Sequence, residues 1–530
     1  MKPVVCLLLL LLFPTVLVAG EQQYRIWLVD KTGSPCSLEN PTDFLSPRAI
    51  AQRENENIPI DSTDLPVSTE WLKQLSESGA RILATSKWLN TVTIALTDAS
   101  QISAIGNLPF VKGYEALGSP VLTSLSVRSQ KKQQIEDDTP YGDATLQIAL
   151  HNGDKLHQAG FSGQGMTIAV IDGGFLHADR NPRFDQNHIA GWHDFVDDQI
   201  DFEHGDTHGS SVLSTMLVND SNTFIGTAPK ASYWLLRSED TAMEYPAEED
   251  FWVAALEYAD SLGVDVITSS LGYSQFDNPQ FDHSWEQLDG KTAFISRGAA
   301  MGVKKGLLII VSAGNERAGS WKKITVPADV DGLLTVGAVD AQCKPAYFSG
   351  CGFTSDDRIK PDVAGLGVSA ATIDPNGGLL PKNGTSFSTP IIAGLTACLR
   401  QALPDLPARE IIDLIRQNSS QYLTPDSLMG YGIPDFYAAY RQGSGIETPQ
   451  TPGSPLRLAY RQGIPIVTVA GLPANEGEIM LDIYNLEGTI IREYRLGEGS
   501  EVVLHELSKG IYLLSARSKT HCWTKKIKRL

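Results

Sequence analysis

Between residues 145 and 440, short runs of apolar and β-branched residues alternate with longer stretches of helical period, and that rhythm restricts the chain to few architectures. "MTIAVID", "ASYWLLRSE", "VDVITSS", "LLIIVSAGN" and "LLTVGAVD" read as strands, whereas "GSSVLSTML", "EEDFWVAALEYADSLG" and "KTAFISRGAAMGVKKG" read as helices. Apolar strands separated by helices predict a parallel sheet covered on both faces, an α/β fold. In such sheets reactive groups gather at the carboxyl ends of strands. That rule singles out Asp172, Ser270 and Asn315.

The flanks follow other patterns, as expected of a 530-residue chain, which exceeds the ~250–300 residues at which one core stops growing. Residues 24–115 run strand, amphipathic helix ended by Gly79, hairpin, short helix, strand, which is the order of a ferredoxin-like α+β unit. Beyond "GSGIETPQTPGSP" only strand alternation remains, which predicts an all-β sandwich ending in the basic tail Lys525, Lys526, Lys528 and Arg529. "MKPVVCLLLLLLFPTVLVAG" has a lysine, a short apolar core and small residues at its end, the pattern of a secretory signal, with a retained anchor as the alternative. The expected order is signal 1–20, ferredoxin-like domain 21–117, exposed linker 118–144, α/β domain 145–442, linker 443–455 and β-module 456–530. A net charge of −19, with no basic stripe, argues against nucleic acid as a partner. After removal of the signal, Cys36, Cys343, Cys351, Cys398 and Cys522 leave an odd count, and Cys343 and Cys351 are close enough in sequence for a local disulfide.

"NGTSFSTP" at 383–390 places Ser386 at the start of a helix that runs to about Leu403. Unpaired N–H groups and the positive end of the dipole favour developing negative charge there. Pro390 lies about one turn in, where its missing N–H costs least. A serine needs a base, and His208 in "EHGDTHGSSVLSTM" is the candidate; Asp172 is its orienter and Asn315 a donor to an oxyanion. The chain order Asp, His, Ser separates one convergent triad from two others. Each residue also has a plainer reading: cap, turn, or, for His204-x-Asp206-x-His208, a metal cluster.

Together these segments resemble the subtilisin-like serine proteases, over roughly 145–440: "VIDGG" is similar to the aspartate motif, "HGSSV" to the histidine motif, "SAGN" to the oxyanion asparagine and "NGTSFSTP" to the serine motif. The resemblance implies a secreted serine endopeptidase acting on proteins or peptides through Asp172, His208 and Ser386, with Asn315 in the oxyanion hole and no cofactor or metal. It further implies that Ser270, Leu271 and Gly272 pair with extended substrate and that Ala313 and Gly314 border the primary pocket. Gly173, Phe387 and Ser269 depart from the family's usual residues. "VNDSNTFIG" lies where many relatives bind calcium but offers few charged oxygens. The ferredoxin-like segment resembles the family's propeptide, which would inhibit until the linker is cut, with a permanent accessory domain as the alternative. "SKGIYLL" and "KKIKRL" resemble the C-terminal sorting domain that takes proteins through the outer-membrane secretion machinery of Bacteroidetes, against a plain binding module. The rival functions are a catalytically silent surface protein that binds peptides on the same fold, and an esterase. Glu244, Glu248, Glu249 and Asp250 read as a solvated acidic face, with a preference for basic substrates as the other reading.

Overall fold

A computed structural model describes residues 21–120, 139–197, 202–203, 205–445, 456–461, 464–470, 478–485, 489–508, 510–517 and 522–529. The signal, most of both linkers and His204, one member of the alternative metal cluster, lie outside the described residues.

The N-terminal domain is a four-stranded antiparallel sheet of β1 (Gln22–Leu28), β2 (Arg81–Ser86), β3 (Thr91–Leu96) and β4 (Val111–Gly118), in the order β2-β3-β1-β4. Helices α2 (Thr69–Glu77) and α3 (Ile102–Gly106) match the expected pattern. Helix α1 (Pro47–Asn55) was not anticipated, although its Ser46 side chain accepts from the Ala49 N–H and proline stands at its first position.

The central domain is a seven-stranded parallel sheet: β5 (Thr167–Asp172), β6 (Ile189–Asp194), β7 (Ser232–Arg237), β8 (Val266–Ser269), β9 (Ile309–Ser312), β10 (Leu334–Val339) and β11 (Val363–Leu366). Their order is β11-β10-β9-β8-β5-β7-β6. The pleat explains why these strands are apolar throughout. Ile168 and Val170 enter one core with α4 (His208–Leu217) and α7 (Thr385–Ala402), while Ala169 and Ile171 enter the other with α5 (Ala247–Leu262) and α6 (Phe294–Lys304). Chain direction across the sheet reverses between β5 and β8, so a crevice opens at their carboxyl ends.

The two domains share a buried, charged interface. Ser86 Oγ, Lys87 N–H and Trp88 N–H all donate to the Glu257 carboxylate on α5, at 2.6, 2.7 and 3.0 Å. Arg25 forks onto Asp250, Nε to Oδ1 at 2.8 Å and Nη2 to Oδ2 at 2.5 Å, and lies over the Phe294 ring. These contacts correct the expectation of a solvated acidic face: Glu248, Glu249 and Asp250 are buried, with Glu249 paired to His283 at 2.6 Å. Near the end of β4, Leu117 packs with Tyr245, Ala247 and Phe251 of the central domain.

The C-terminal segment forms a three-stranded and a four-stranded sheet around one apolar cluster, as expected of a sandwich. Cys343 and Cys351 are both free thiols, so the local disulfide is not formed; Cys343 sits in a turn at φ 60 and the Cys351 thiol faces the Lys322 carbonyl.

Candidate active site

Asp172 is the last residue of β5 and is fully buried. His208 opens α4, and its Nδ1 lies 2.8 Å from Asp172 Oδ1. The Gly173 N–H donates to the same oxygen at 2.9 Å, while Asp172 Oδ2 has no partner among the described residues. Burial opposes the charged imidazolium, but the Asp172 carboxylate and its hydrogen bond outweigh it, so His208 holds its proton above the ordinary imidazole range.

Gly384 precedes α7 with φ 149 and ψ 151, a backbone that favours glycine, and it turns the chain so that Ser386 is the second helical residue. Phe387 follows directly, its ring centroid 5.6 Å from that of His208, so the helix start abuts the histidine. Pro390 departs from the sequence expectation. It is the sixth residue of α7, in the second turn, and its missing N–H would have bonded the Ser386 carbonyl. Ser270 Oγ donates to that carbonyl instead, at 2.8 Å, while Ser386 Oγ makes only a long bond of 3.4 Å to the Ser270 carbonyl. The proline therefore frees an acceptor that ties α7 to the end of β8.

Asn315, beyond β9, has its Oδ1 fixed by the Thr385 N–H at 2.9 Å and the Thr385 hydroxyl at 3.2 Å. A backbone N–H can only donate, so the side-chain oxygen faces α7 and the amide nitrogen is left to face elsewhere. Around these groups lies an open cleft of about 540 Å³, whose lining includes Asp172, His208, Glu239, Glu244, Ser270 and Glu316. Leu271 and Gly272 line it too; a Cβ on Gly272 would come within 2.2 Å of Thr325 Oγ1, so no side chain fits there. Ala313 is fully buried and Gly314 turns at φ 91 beside the Glu316 carboxylate. Asp172 and His208 are thus bonded directly, Asn315 is bonded to the start of α7 and Ser386 to the end of β8, and His208 meets that helix start through the Phe387 ring.

The sequence reading missed Glu239. It lies two residues past β7, with an oxygen 3.0 Å from where a Gly173 Cβ would stand. The strand-end rule that selected Asp172 and Asn315 applies equally to "LLRSED". Burial and the neighbouring Asp172 charge push its carboxyl up to about 7. In the hairpin at "VNDSNTFIG", Asp220 pairs with Arg183.

The family model described as the subtilase family matches residues 163–432. The model of the peptidase S8 propeptide domain of Bacteroidota matches 23–136, and that of the secretion system C-terminal sorting domain matches 466–528. Subtilisin E from Bacillus subtilis (strain 168) is 26% identical over 370 residues, covering 69% of this chain and 84% of its own. An alkaline protease from Shouchella clausii is 28% identical over 315 residues, covering 58% and 71%. Among solved structures, the epidermin leader peptide processing serine protease from Staphylococcus aureus aligns with a TM-score of 0.54 at 16% identity, over 80% of this chain and 99% of its own, a likeness of fold. The sorting domain marks secretion across the outer membrane, to the cell surface or beyond. With half the chain matched by one model, and a propeptide domain ahead of it, the protein belongs to the subtilase family, as a secreted serine endopeptidase made as a zymogen.

Proposed function

We propose that Asp172, His208 and Ser386 are the catalytic triad of this endopeptidase and that Asn315 completes its oxyanion hole. The observation that carries this reading is the 2.8 Å bond between His208 Nδ1 and Asp172 Oδ1, made beside the start of the helix that bears Ser386. With Nδ1–H donated to Asp172, Nε2 is the basic nitrogen. It takes the proton of Ser386 as Oγ attacks the scissile carbonyl, then returns it to the leaving amine. The tetrahedral oxyanion accepts from Asn315 Nδ2–H and the Ser386 N–H; losing one such donor costs about 10²–10³ in turnover, a figure obtained on a subtilisin. Water then attacks the acyl-enzyme by the same path in reverse. Ser270, Leu271 and Gly272 pair with extended substrate, and Ala313 and Gly314 border the primary pocket. The proposed division is 21–117 as inhibitory propeptide, 145–442 as peptidase and 456–530 as the module that engages the secretion machinery, with cleavage in 118–144 releasing the enzyme.

An active-site phosphonate tests the assignment: mass mapping is expected to find it on Ser386 of the matured protein. A label on any other residue, or none, removes the triad as drawn.

The pH profile follows from the raised His208. The base works only when neutral, so activity falls as pH drops through its pKa, and that limb is expected above the ordinary 6.5. Asp172→Asn removes the charge that raises it and is expected to move the limb to lower pH. Rates of peptide hydrolysis across pH 5–9 check both, and a native limb at or below 6.5 contradicts the prediction.

A further inference from the structure

We propose that Glu239 and Glu244, with Glu248 beneath them, form a subsite in the cleft for the cationic side chain of a substrate lysine or arginine close to the cut bond. This rests on the peptidase reading above and names the substrates of that same site. One carboxylate oxygen from each of the three residues lies within 4.8 Å of the others. Glu239 and Glu244 line the cleft together with His208 and the Ser270–Gly272 segment, and neither lysine nor arginine is among its lining residues. Glu248 is fully buried, its two oxygens fixed by the Asp240 N–H at 2.8 Å and the Tyr245 N–H at 3.2 Å, so it cannot swing away from its neighbours.

A second observation points into the same space. Tyr273 is fully buried and its hydroxyl has no hydrogen-bond partner among the described residues. Burial and then the charges of Glu239, Glu248 and Glu244 hold that phenol protonated, which places an unpartnered hydroxyl within electrostatic reach of the cluster. Ser238 Oγ, one residue before Glu239, is likewise buried and unpartnered. Burial and mutual repulsion push the Glu244 and Glu248 carboxyls well above the usual range. Three carboxyl groups this close together call for a positive partner, and a bound cation relieves this repulsion. Glu239 and Glu244 share the cleft with the Ser270–Gly272 segment, and glycine at 173 leaves Glu239 uncovered on that side: a Cβ there would come within 2.6 Å of Thr241 and 3.0 Å of the Glu239 carboxylate. That shared cleft favours a cation carried in on the peptide itself.

The test uses the matured enzyme and peptides identical except for lysine or norleucine at each of the four positions ahead of the cut. At one position lysine is expected to exceed norleucine at least tenfold in kcat/KM, and Glu239→Gln, Glu244→Gln and their combination to bring that ratio toward one. The ratio is read within each variant, so a general loss of activity cancels. A native ratio within threefold of one at every position overturns the inference, as does a ratio unchanged in the double variant. Cleavage abolished by EDTA and restored by calcium gives the cluster to a metal ion and also overturns it. An enzyme that takes the phosphonate on Ser386 but ignores lysine sinks this inference alone; one that does neither sinks the catalytic reading with it.

Discussion

Ser386→Ala is expected to lower turnover by on the order of 10⁶, the loss measured for this nucleophile in a subtilisin. The reason is visible in how the hydroxyl-rich turn is used. Thr385 Oγ1 donates to Asn315, while Ser388 Oγ and Thr389 Oγ1 both donate to the Thr385 carbonyl. Ser270 Oγ is committed to the Ser386 carbonyl that Pro390 leaves unpaired. Of these hydroxyls, that of Ser386 is held most loosely, by one bond of 3.4 Å to the Ser270 carbonyl, and it sits one residue before Phe387, whose ring packs on His208. A neighbour therefore cannot replace it, and what remains is the weak catalysis of the oxyanion hole and substrate binding. Steady-state hydrolysis of a chromogenic peptide reads the effect, with thermal unfolding as a control for folding. Retention of more than about a hundredth of the native rate would return Ser386 to the status of an ordinary helix cap.

Much of the candidate site was legible in the sequence because Asp172 ends one strand and Ser270 and Asn315 stand just past two others, and these strands are central. β5, β8 and β9 are buried on both faces, so their apolar runs are unbroken and their ends sharply marked. The edge of the sheet was not legible. "IAGWHD" of β6 is half-exposed and interrupted by polar residues, and "VAGL" of β11 is four residues long. Charge was read worst. Glu248, Glu249 and Asp250 crowd the first turn of α5, where acidic residues suit the dipole and normally face water. Their burial depends on partners that no local window contains: Arg25 lies 225 positions away from Asp250, and His283 34 positions from Glu249. Pro390 failed for a related reason, since the Ser386 carbonyl it leaves unpaired is met by a hydroxyl past a strand end 116 positions before Ser386. Periodicity reports the environment of a strand or helix; it is silent on which distant side chain completes a buried polar group.

That same long-range pairing makes the hold of the propeptide on the enzyme sensitive to one side chain. Asp250→Ala is expected to weaken inhibition by the propeptide domain by about 10²–10³, while leaving hydrolysis of a small peptide within about twofold. Arg25 is 3% exposed in the zymogen, and both its short bonds to Asp250 are made in that environment. Thr93 Oγ1 donates to the same carboxylate at 2.5 Å. Removing Asp250 leaves the guanidinium buried with only Glu115, at the exposed edge, 2.9 Å from Nη1. Truncating one partner of a buried pair costs about 3–5 kcal/mol, mostly because the surviving charge is left in a medium that solvates it poorly. Burial already works against the Asp250 carboxylate, which is held above its usual range despite the guanidinium beside it. The pair is thus worth little over an apolar contact, and its loss is costly only while the arginine remains. Replacing Arg25 as well, Arg25→Met in the propeptide against Asp250→Ala in the enzyme, is therefore expected to recover most of the lost affinity. Inhibition constants for the four combinations decide the matter. A single-variant change below about threefold, or a double variant no better than the single, would mean that the Glu257 contacts to Ser86, Lys87 and Trp88 hold the two domains without this ion pair.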